Sequence, residues 1–140
     1  MHEFLSGLRV LVVEDEMMVL MNIEGALGDL GCTAVSAAAT ADSALALVDA
    51  QDFDLAMLDV NLDGKTSYVV ADALARRSIP FVFSTGYGAH GVEARFADRP
   101  VLRKPYSDQQ LGAALFGLLA VGNAVVGSGS TNAGDGVGAE

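Results

Sequence analysis

The chain has 140 residues, of which 51% are hydrophobic and 19% charged, a balance typical of a folded globular protein rather than a disordered one. Eighteen acidic and eight basic residues give a net charge of −10, which argues against nucleic acid or an anionic membrane as a direct partner and suits a cation. The single cysteine, Cys32, excludes an internal disulfide, and no signal peptide is visible, so we expect a cytoplasmic protein. The nearly uncharged segment 111–127 is Gly-rich and shorter than the about 20 apolar residues that a membrane span needs.

The first half of the chain alternates short apolar runs with helical patterns. Strands are predicted over 8–13, 33–37 and 54–58, where the runs have the length of buried strands. A helix is predicted over 40–50, with Thr40 as its N-cap. An earlier helix, ended by Gly31, is predicted from residues that share one helical face: Leu20, Ile23, Leu27 and Leu30.

The second half continues the same alternation. A helix is predicted over 68–77, a strand over 81–83 and a brief strand over 101–102. Between these strands, the weak periodicity of 87–98 predicts a short or mobile helix. The last helix begins after the capping residue Ser107, and its inward face is formed by leucines: Leu111, Leu115, Leu118 and Leu119.

Five strands alternating with five helices predict an α/β domain, doubly wound around a parallel sheet with helices on both faces. We expect this domain to span 8–121, after an N-terminal extension over 1–7. From Gly122 onward, six glycines in nineteen residues and the absence of any base predict a flexible tail over 122–140. In doubly wound sheets, functional sites lie at the carboxyl ends of the strands.

Polar side chains follow the predicted strands at these ends. Glu14 and Asp15 follow the first strand, Asp59 the third and Thr85 the fourth, and Lys104 lies near the fifth. Three carboxylates in one crevice repel one another unless a cation lies between them, and oxygen ligands without His or Cys favour Mg²⁺. A lysine ammonium and a hydroxyl beside them suit a phosphoryl group, with a carboxylate as its acceptor.

Each piece also has a purely structural interpretation. Acidic residues such as Glu14 and Asp15 often cap helices, a threonine such as Thr85 often belongs to a turn, and Lys-Pro is a common loop dipeptide. Their joint occurrence after four different strands favours the functional interpretation.

Four motifs resemble the receiver domain of bacterial two-component response regulators. They are VVEDE at 12–16, Leu58-Asp59 with Asp63-Gly64 after it, STG at 84–86, and Lys104-Pro105. The resemblance extends over about 8–121. It implies the flavodoxin-like strand order 2-1-3-4-5 for the five strands of the sheet.

The same resemblance implies a role for each site residue. Asp59 is the expected phosphoacceptor, and Glu14 and Asp15 form the acidic pair that holds Mg²⁺, to which Asn61 adds its backbone carbonyl. Lys104 is expected to pair with a phosphoryl oxygen.

Two further features follow from the resemblance. Thr85 is expected to move toward the aspartyl phosphate on activation. The peptide bond between Lys104 and Pro105 is expected to be cis.

A narrower resemblance concerns the segments around the last two strands. The sequences FVFSTGY at 81–87 and PVLRKPY at 100–106 are similar to the FAT GUY subgroup of receivers, with Ser84 in place of an Ala. Members of that subgroup are often single-domain proteins, and their partners are histidine kinases of the HWE or HisKA2 type.

The chain departs from the general family at two positions. Val101, three residues before Lys104, replaces the aromatic residue that rotates inward in most receivers. Asp63 stands near the end of the phosphoacceptor loop, where a proline is often found. Tyr87 or the rest of 87–98 is one candidate to replace the aromatic switch; the alternative is that Tyr87 only covers the site.

The leading functional hypothesis is a stand-alone response regulator receiver. A sensor histidine kinase donates a phosphoryl group to Asp59 in the presence of Mg²⁺, and the signal leaves by contact with an effector protein or by phosphate transfer, as in a phosphate sink. A haloacid-dehalogenase-like phosphatase is disfavoured, because Asn61 stands where that class needs a second Asp. A pseudo-receiver that binds partners without phosphorylation stays open because of Val101.

Two surfaces are candidates for partner contacts in a protein expected to be a monomer or a weak dimer. Met17, Met18 and Met21 lie off the core face of the first helix, where the receivers meet the histidine-bearing helix of the kinase; peripheral core packing is the alternative. Phe116 on the last helix belongs to a dimer or effector face, or is covered by the tail.

Overall fold

A parallel five-stranded sheet forms the centre of the protein. The structure is a computed structural model that describes residues 3–86 and 92–129, and for 121–129 it describes the backbone only. In chain order, the described strands are β1 (Arg9–Val13), β2 (Ala34–Ala38), β3 (Leu55–Asp59), β4 (Asn61–Leu62), β5 (Lys65–Thr66), β6 (Phe81–Thr85) and β7 (Val101–Arg103). The sheet has the order β2-β1-β3-β6-β7, which confirms the predicted order 2-1-3-4-5 of its five strands.

Among the described residues, four α-helices cover the two faces of the sheet: α1 (Met17–Asp29), α2 (Ala41–Ala50), α3 (Tyr68–Arg76) and α4 (Asp108–Gly129). A fifth helix is predicted within 87–98. In the part of this segment that the structure describes, the only helical element is a single 3-10 turn over Ala94–Phe96. Only Phe96 of this turn is buried, so no apolar stripe supports a longer helix there. Residues 87–91, including Tyr87, lie outside the described residues. Within the described ranges, none of the helices has both the length and the apolar character needed to cross a membrane.

Alternate residues of the strands build two separate cores, one on each face of the sheet. Leu11 and Leu58 face the core under α2 and α3, whereas Val10, Val12 and Met57 face the core under α1 and α4. This follows from the pleat, which directs successive side chains to opposite faces. The predicted inward leucines of α1 and α4 lie in the second core, with Leu30 and Leu119 only half-buried at its edge.

The helix ends confirm the predicted capping residues. Thr40 accepts a hydrogen bond from the Ser43 amide (3.1 Å), and Ser107 forms reciprocal hydrogen bonds with Gln110, the arrangement known as a capping box. Gly31 has a φ of +91° after α1, and a Cβ there would lie 2.8 Å from the backbone of Glu3. A residue without a side chain is therefore required where α1 ends.

The connection from β3 to α3 is a tight antiparallel hairpin. Strands β4 and β5 pair across Asp63 and Gly64, whose φ values of +51° and +86° are those of a type I′ turn. The Gly64 amide donates to Oδ1 of Asn61 (2.9 Å). The predicted turn is confirmed, and it fixes the backbone that directly follows Asp59.

The segment before β1 packs against the domain. Leu5 is fully buried in the core under α1 and α4, and its amide donates to the Leu30 carbonyl (3.0 Å). Phe4 meets Phe116 of α4 edge-on at 5.3 Å, which leaves Phe116 46% exposed. Helix α4 continues past Gly122 to Gly129, and the domain limits at 8 and 121 stay predictions.

Replacing Leu5 by Ala tests this packing. We expect L5A to lower the free energy of unfolding by about 2–5 kcal/mol, the usual cost of truncating a fully buried leucine. Urea denaturation measures the change. V69A, which truncates a residue that is 54% exposed on α3, is the control and should change stability by less than about 0.5 kcal/mol. Equal losses in the two variants would show that the segment before β1 does not contribute to the core.

Candidate functional site

The site residues meet at the carboxyl edge of the sheet because its strands are parallel. Glu14 directly follows β1, Asp59 is the last residue of β3, Thr85 is the last residue of β6, and Lys104 directly follows β7. Strand β3 lies between β1 and β6, and β7 lies beyond β6. The three central strand ends therefore present two carboxylates and a hydroxyl, with the lysine approaching from the edge strand.

Lys104 bridges the two buried carboxylates. Its Nζ lies 3.0 Å and 3.3 Å from Oε1 and Oε2 of Glu14, and 3.0 Å from Oδ2 of Asp59. The side chains of Glu14 and Asp59 are 1% and 8% exposed, that of Lys104 20%. Glu16, which is exposed, approaches the same nitrogen at 3.8 Å. Burial strengthens these charge-assisted bonds and makes the loss of any one partner costly.

The carboxylates outnumber the positive charge available to them. Burial raises the pKa of Glu14 to about 7, with the nearby charge of Asp59 adding to the rise and Lys104 opposing it. Burial also tends to lower the pKa of Lys104, but its hydrogen bonds to Glu14 and Asp59 outweigh this and the pKa is raised. Lys104 is therefore charged, and the remaining negative charge favours a bound cation.

Three carboxylates are placed to hold that cation. Oxygen atoms of Glu14, Asp15 and Asp59 all lie within 4.8 Å of one another, and Asp15 is the most exposed of the three. A set of carboxylate oxygens without nitrogen or sulfur ligands fits a hard ion such as Mg²⁺, which keeps several of its waters. The open side at Asp15 leaves room for those waters.

Asn61 and Thr85 lie beside these carboxylates. The Asn61 amide donates to Oδ1 of Asp59 (3.3 Å), which places the Asn61 backbone next to the site; the carbonyl of Asn61 as a metal ligand stays a prediction. Thr85 is buried, and its carbonyl accepts a hydrogen bond from the Lys104 amide (2.9 Å). The peptide bond between Lys104 and Pro105 is cis, as the sequence resemblance implies.

A groove runs from the site along α1. It encloses about 750 Å³ between α1 and the start of α4, and residues 104–106 form one end of it. Tyr106 lines this groove, and burial raises its pKa to about 12, so its phenol stays protonated. Met21 lies at the rim and is 57% exposed, and beyond it Met17 and Met18 are 66% and 74% exposed. The methionines therefore form a surface beside the site rather than peripheral core packing.

Sequence reasoning did not find a contact between α3 and the segment 92–99. The Glu93 amide donates to the hydroxyl of Tyr68, and Arg95 forms ion pairs with Asp72 and Glu93. Tyr68 was predicted only as the first residue of a helix. Periodicity carries no information on which distant segment a helix meets, so no sequence signal identifies this contact.

Known proteins similar to this chain include a receiver-domain family and a transcriptional regulatory protein. The response regulator receiver domain family model matches residues 10–116 of the chain. The transcriptional regulatory protein TcrA of Mycobacterium tuberculosis is 35% identical over 117 residues, which cover 79% of this chain and 45% of TcrA. The chain thus spans about half the length of this relative.

Solved structures with the same fold include SdrG from Sphingomonas melonis Fr1, which is 46% identical with a TM-score of 0.73 and covers 80% of this chain and 96% of SdrG. The BeF3-activated conformation of SdrG from Pseudomonas melonis Fr1 is 46% identical, with a TM-score of 0.70. The matched region covers 79% of this chain and 95% of that structure. The response regulator PhyR from Brucella abortus is 25% identical with a TM-score of 0.77, and covers 88% of this chain and 52% of PhyR.

Removing the positive charge of Lys104 tests the electrostatic balance of the site. We expect K104M to lower the free energy of unfolding by about 3 kcal/mol without added metal, because two buried carboxylates lose their compensating charge. Mg²⁺ should restore part of this loss. Chemical denaturation with chelator and with Mg²⁺ measures both effects.

The matched control is K65M, which removes the charge of an exposed lysine in β5. It should leave stability within about 0.5 kcal/mol of the wild type under both conditions. A K104M protein as stable as K65M would contradict the compensating role of Lys104.

Proposed function

Because the chain belongs to the family of response regulator receiver domains, which are signalling domains rather than classical enzymes, we propose that Asp59 accepts a phosphoryl group from the phosphohistidine of a sensor histidine kinase. The observation that carries this proposal is the contact of Lys104 Nζ with Asp59 at 3.0 Å, inside a cluster of three carboxylates. A lysine donor and a buried carboxylate at this distance suit a phosphoryl group attached to the aspartate.

The transfer uses groups that are already in position. A carboxylate oxygen of Asp59 forms a bond to phosphorus while the bond between phosphorus and the histidine nitrogen breaks, and an acyl phosphate results. Asp59 is only 6% exposed, so few water molecules compete with the donor. Glu14, Asp15 and Asp59, with the Asn61 carbonyl, would hold Mg²⁺, which would supply positive charge to the transferred group.

Lys104 and Thr85 act on the product of the transfer. The Lys104 ammonium donates to a phosphoryl oxygen, for which its bonds to Glu14 and Asp59 hold it ready. Thr85 lies at the end of the neighbouring strand and is tied to Lys104 through their backbones. Its hydroxyl turns toward the phosphoryl group and marks the activated state.

The kinase docks on the methionine surface of α1. Met17, Met18 and Met21 are exposed together beside the site, and the adjoining groove suits a helix that carries the phosphohistidine. Methionine side chains adapt to the shape of a partner. The motifs at 81–87 and 100–106 support a kinase of the HWE or HisKA2 type. After transfer, the domain passes the signal to an effector protein by contact, or drains phosphate from the kinase.

Replacing Asp59 by Asn tests the acceptor. We expect the wild type to gain one phosphoryl group when it is incubated with a small acyl-phosphate donor and Mg²⁺, and D59N to gain none, because an amide cannot form the acyl phosphate. Intact-protein mass spectrometry measures the gain. D63N, which changes an exposed aspartate in the adjacent turn, should behave as the wild type. A phosphoryl group on D59N, or its absence from the wild type with both the small donor and kinase partners, would contradict the proposal.

Replacing Asp15 by Asn tests the metal site separately from the acceptor. We expect D15N to weaken Mg²⁺ binding by roughly tenfold or more, since the affinity of oxygen sites follows the number of charged ligands. Isothermal titration calorimetry measures the affinity. The control D52N changes an exposed aspartate that precedes β3, at the opposite end of this strand from Asp59, and its affinity should equal that of the wild type. Unchanged binding in D15N would remove Asp15 from the metal site.

A further inference from the structure

Resting on this proposed function, we propose that Tyr68 couples the phosphorylation site to the segment 92–99. The Tyr68 hydroxyl fastens this segment to α3 while Asp59 is unmodified, and a phosphoryl group on Asp59 weakens the attachment. Tyr68 is thus a positioning residue for the signalling response, in a chain that has Val101 in place of the usual switch aromatic.

The attachment begins with Tyr68 itself. The backbone amide of Glu93 donates to the Tyr68 hydroxyl at 3.0 Å, and the tyrosine ring stacks on Phe96 with centroids 5.5 Å apart and planes 16° apart. Phe96 is buried, so the stacked pair closes the core under α2 and α3 at this end. One side chain of α3 therefore holds both the backbone and the only buried residue of the 3-10 turn.

Ion pairs strengthen the attachment on the same face of α3. Asp72 is four residues after Tyr68, which places both on one side of the helix, and it pairs with Arg95. The guanidinium of Arg95 also pairs with Glu93 at 2.9 Å and lies 4.3 Å from the centre of the Phe96 ring. These exposed pairs are individually weak, so the buried tyrosine contact is the specific part of the attachment.

The phosphoacceptor loop connects directly to Tyr68. The Ser67 amide donates to the Val60 carbonyl at 3.0 Å and closes the loop between β3 and α3. Asp59 directly precedes Val60, and Tyr68 directly follows Ser67, so both adjoin the residues that form this hydrogen bond. A change in the position of Asp59 therefore acts on the residue that begins α3.

A second connection runs through β6. The Tyr68 ring meets Phe83 edge-on at 6.0 Å, and Phe83 lies two residues before Thr85, on the same face of the strand. A phosphoryl group replaces the single charge of the Asp59 carboxylate by roughly −1.5 to −2 charges and attracts the Thr85 hydroxyl. Because cores are close-packed, the resulting shift of β6 changes the fit of the Tyr68 ring rather than being absorbed locally.

Tyr68 suits this role better than its neighbours in the same core. The aromatic residues of that core among the described residues are Phe53, Tyr68, Phe81, Phe83 and Phe96. Only tyrosine carries a hydroxyl, so Tyr68 alone among them can fix a backbone amide while its ring contacts β6. Val101 packs against this core and has neither group.

The first test removes the hydroxyl and keeps the ring. In unmodified Y68F, we expect the Glu93 amide and its neighbours in 92–99 to exchange with deuterium about three- to tenfold faster than in the wild type, as the loss of one hydrogen bond allows. Phosphorylation should speed exchange of the same amides in the wild type and add little in Y68F. Full protection in unmodified Y68F would overturn the proposal.

The second test uses linkage, which a merely structural contact would not show. If phosphorylation weakens the attachment, weakening the attachment must favour the phosphorylated state by the same factor. We expect Y68F to bind beryllofluoride with Mg²⁺, a mimic of the phosphoryl group, several-fold more tightly than the wild type. D72N, which weakens the Arg95 ion pair, should shift affinity in the same direction. D49N, which weakens the exposed ion pair of Asp49 on α2 with Arg77 after α3, should not.

The outcomes separate this inference from the proposed function. Equal beryllofluoride affinity in the wild type, Y68F and D72N would overturn the coupling and leave Asp59 as the acceptor. A wild type that neither binds beryllofluoride nor gains a phosphoryl group would overturn the proposed function and, with it, the coupling. Tighter binding in both variants, with faster exchange confined to 92–99, is the result that supports Tyr68 as the link.

Discussion

The ion pairs of Lys104 with Glu14 and Asp59 hold together everything else at the site. Two buried carboxylates on neighbouring strand ends would repel each other, and the ammonium between them allows both strands to end at the same edge. This lysine comes from β7, at the side of the sheet, so its position depends on the pairing of β7 with β6. The Lys104 amide bonded to the Thr85 carbonyl makes that dependence direct.

The sheet makes this arrangement possible because its two cores are built from other residues than the charged groups of the site. Alternate residues of β1 and β3 enter the core on one face or the other, and Glu14 after β1 and Asp59 at the end of β3 are left at the carboxyl edge. The tight turn at Asp63 and Gly64 then returns the chain to α3 within a few residues of Asp59. Apolar packing and chemistry thus use different residues of the same strands, which permits a charged site in a protein with a well-packed interior.

The strands and the site were predictable because both leave local signals in the sequence. A buried parallel strand is an apolar run, and its end is where the run changes to polar residues, so the order of Glu14, Asp59 and Lys104 along the chain already indicates their convergence. The burial of Leu5 and the contact of Tyr68 with Glu93 had no such signal. Both join segments distant in sequence through single side chains, and neither changes the local periodicity. The 3-10 turn at Ala94–Phe96 was predicted only as a short or mobile helix within 87–98, because weak periodicity does not give the bounds of an element.

The charge balance explains why the same lysine serves both states of the site. When Glu14, Asp15 and Asp59 are all ionised, one ammonium leaves two negative charges, which a divalent cation matches. In the proposed phosphorylated state, one carboxylate charge would be replaced by a larger and more extended one, and Lys104 would give up part of its bonding to Glu14 to donate to the new oxygens. Burial raises the pKa of Glu14 to about 7, so its charge would depend on the cation once the lysine turns to the phosphoryl group. In the proposed function, metal and lysine are therefore not interchangeable: the metal would hold the acidic pair in both states of Asp59, and the lysine would be free to respond to the phosphoryl group.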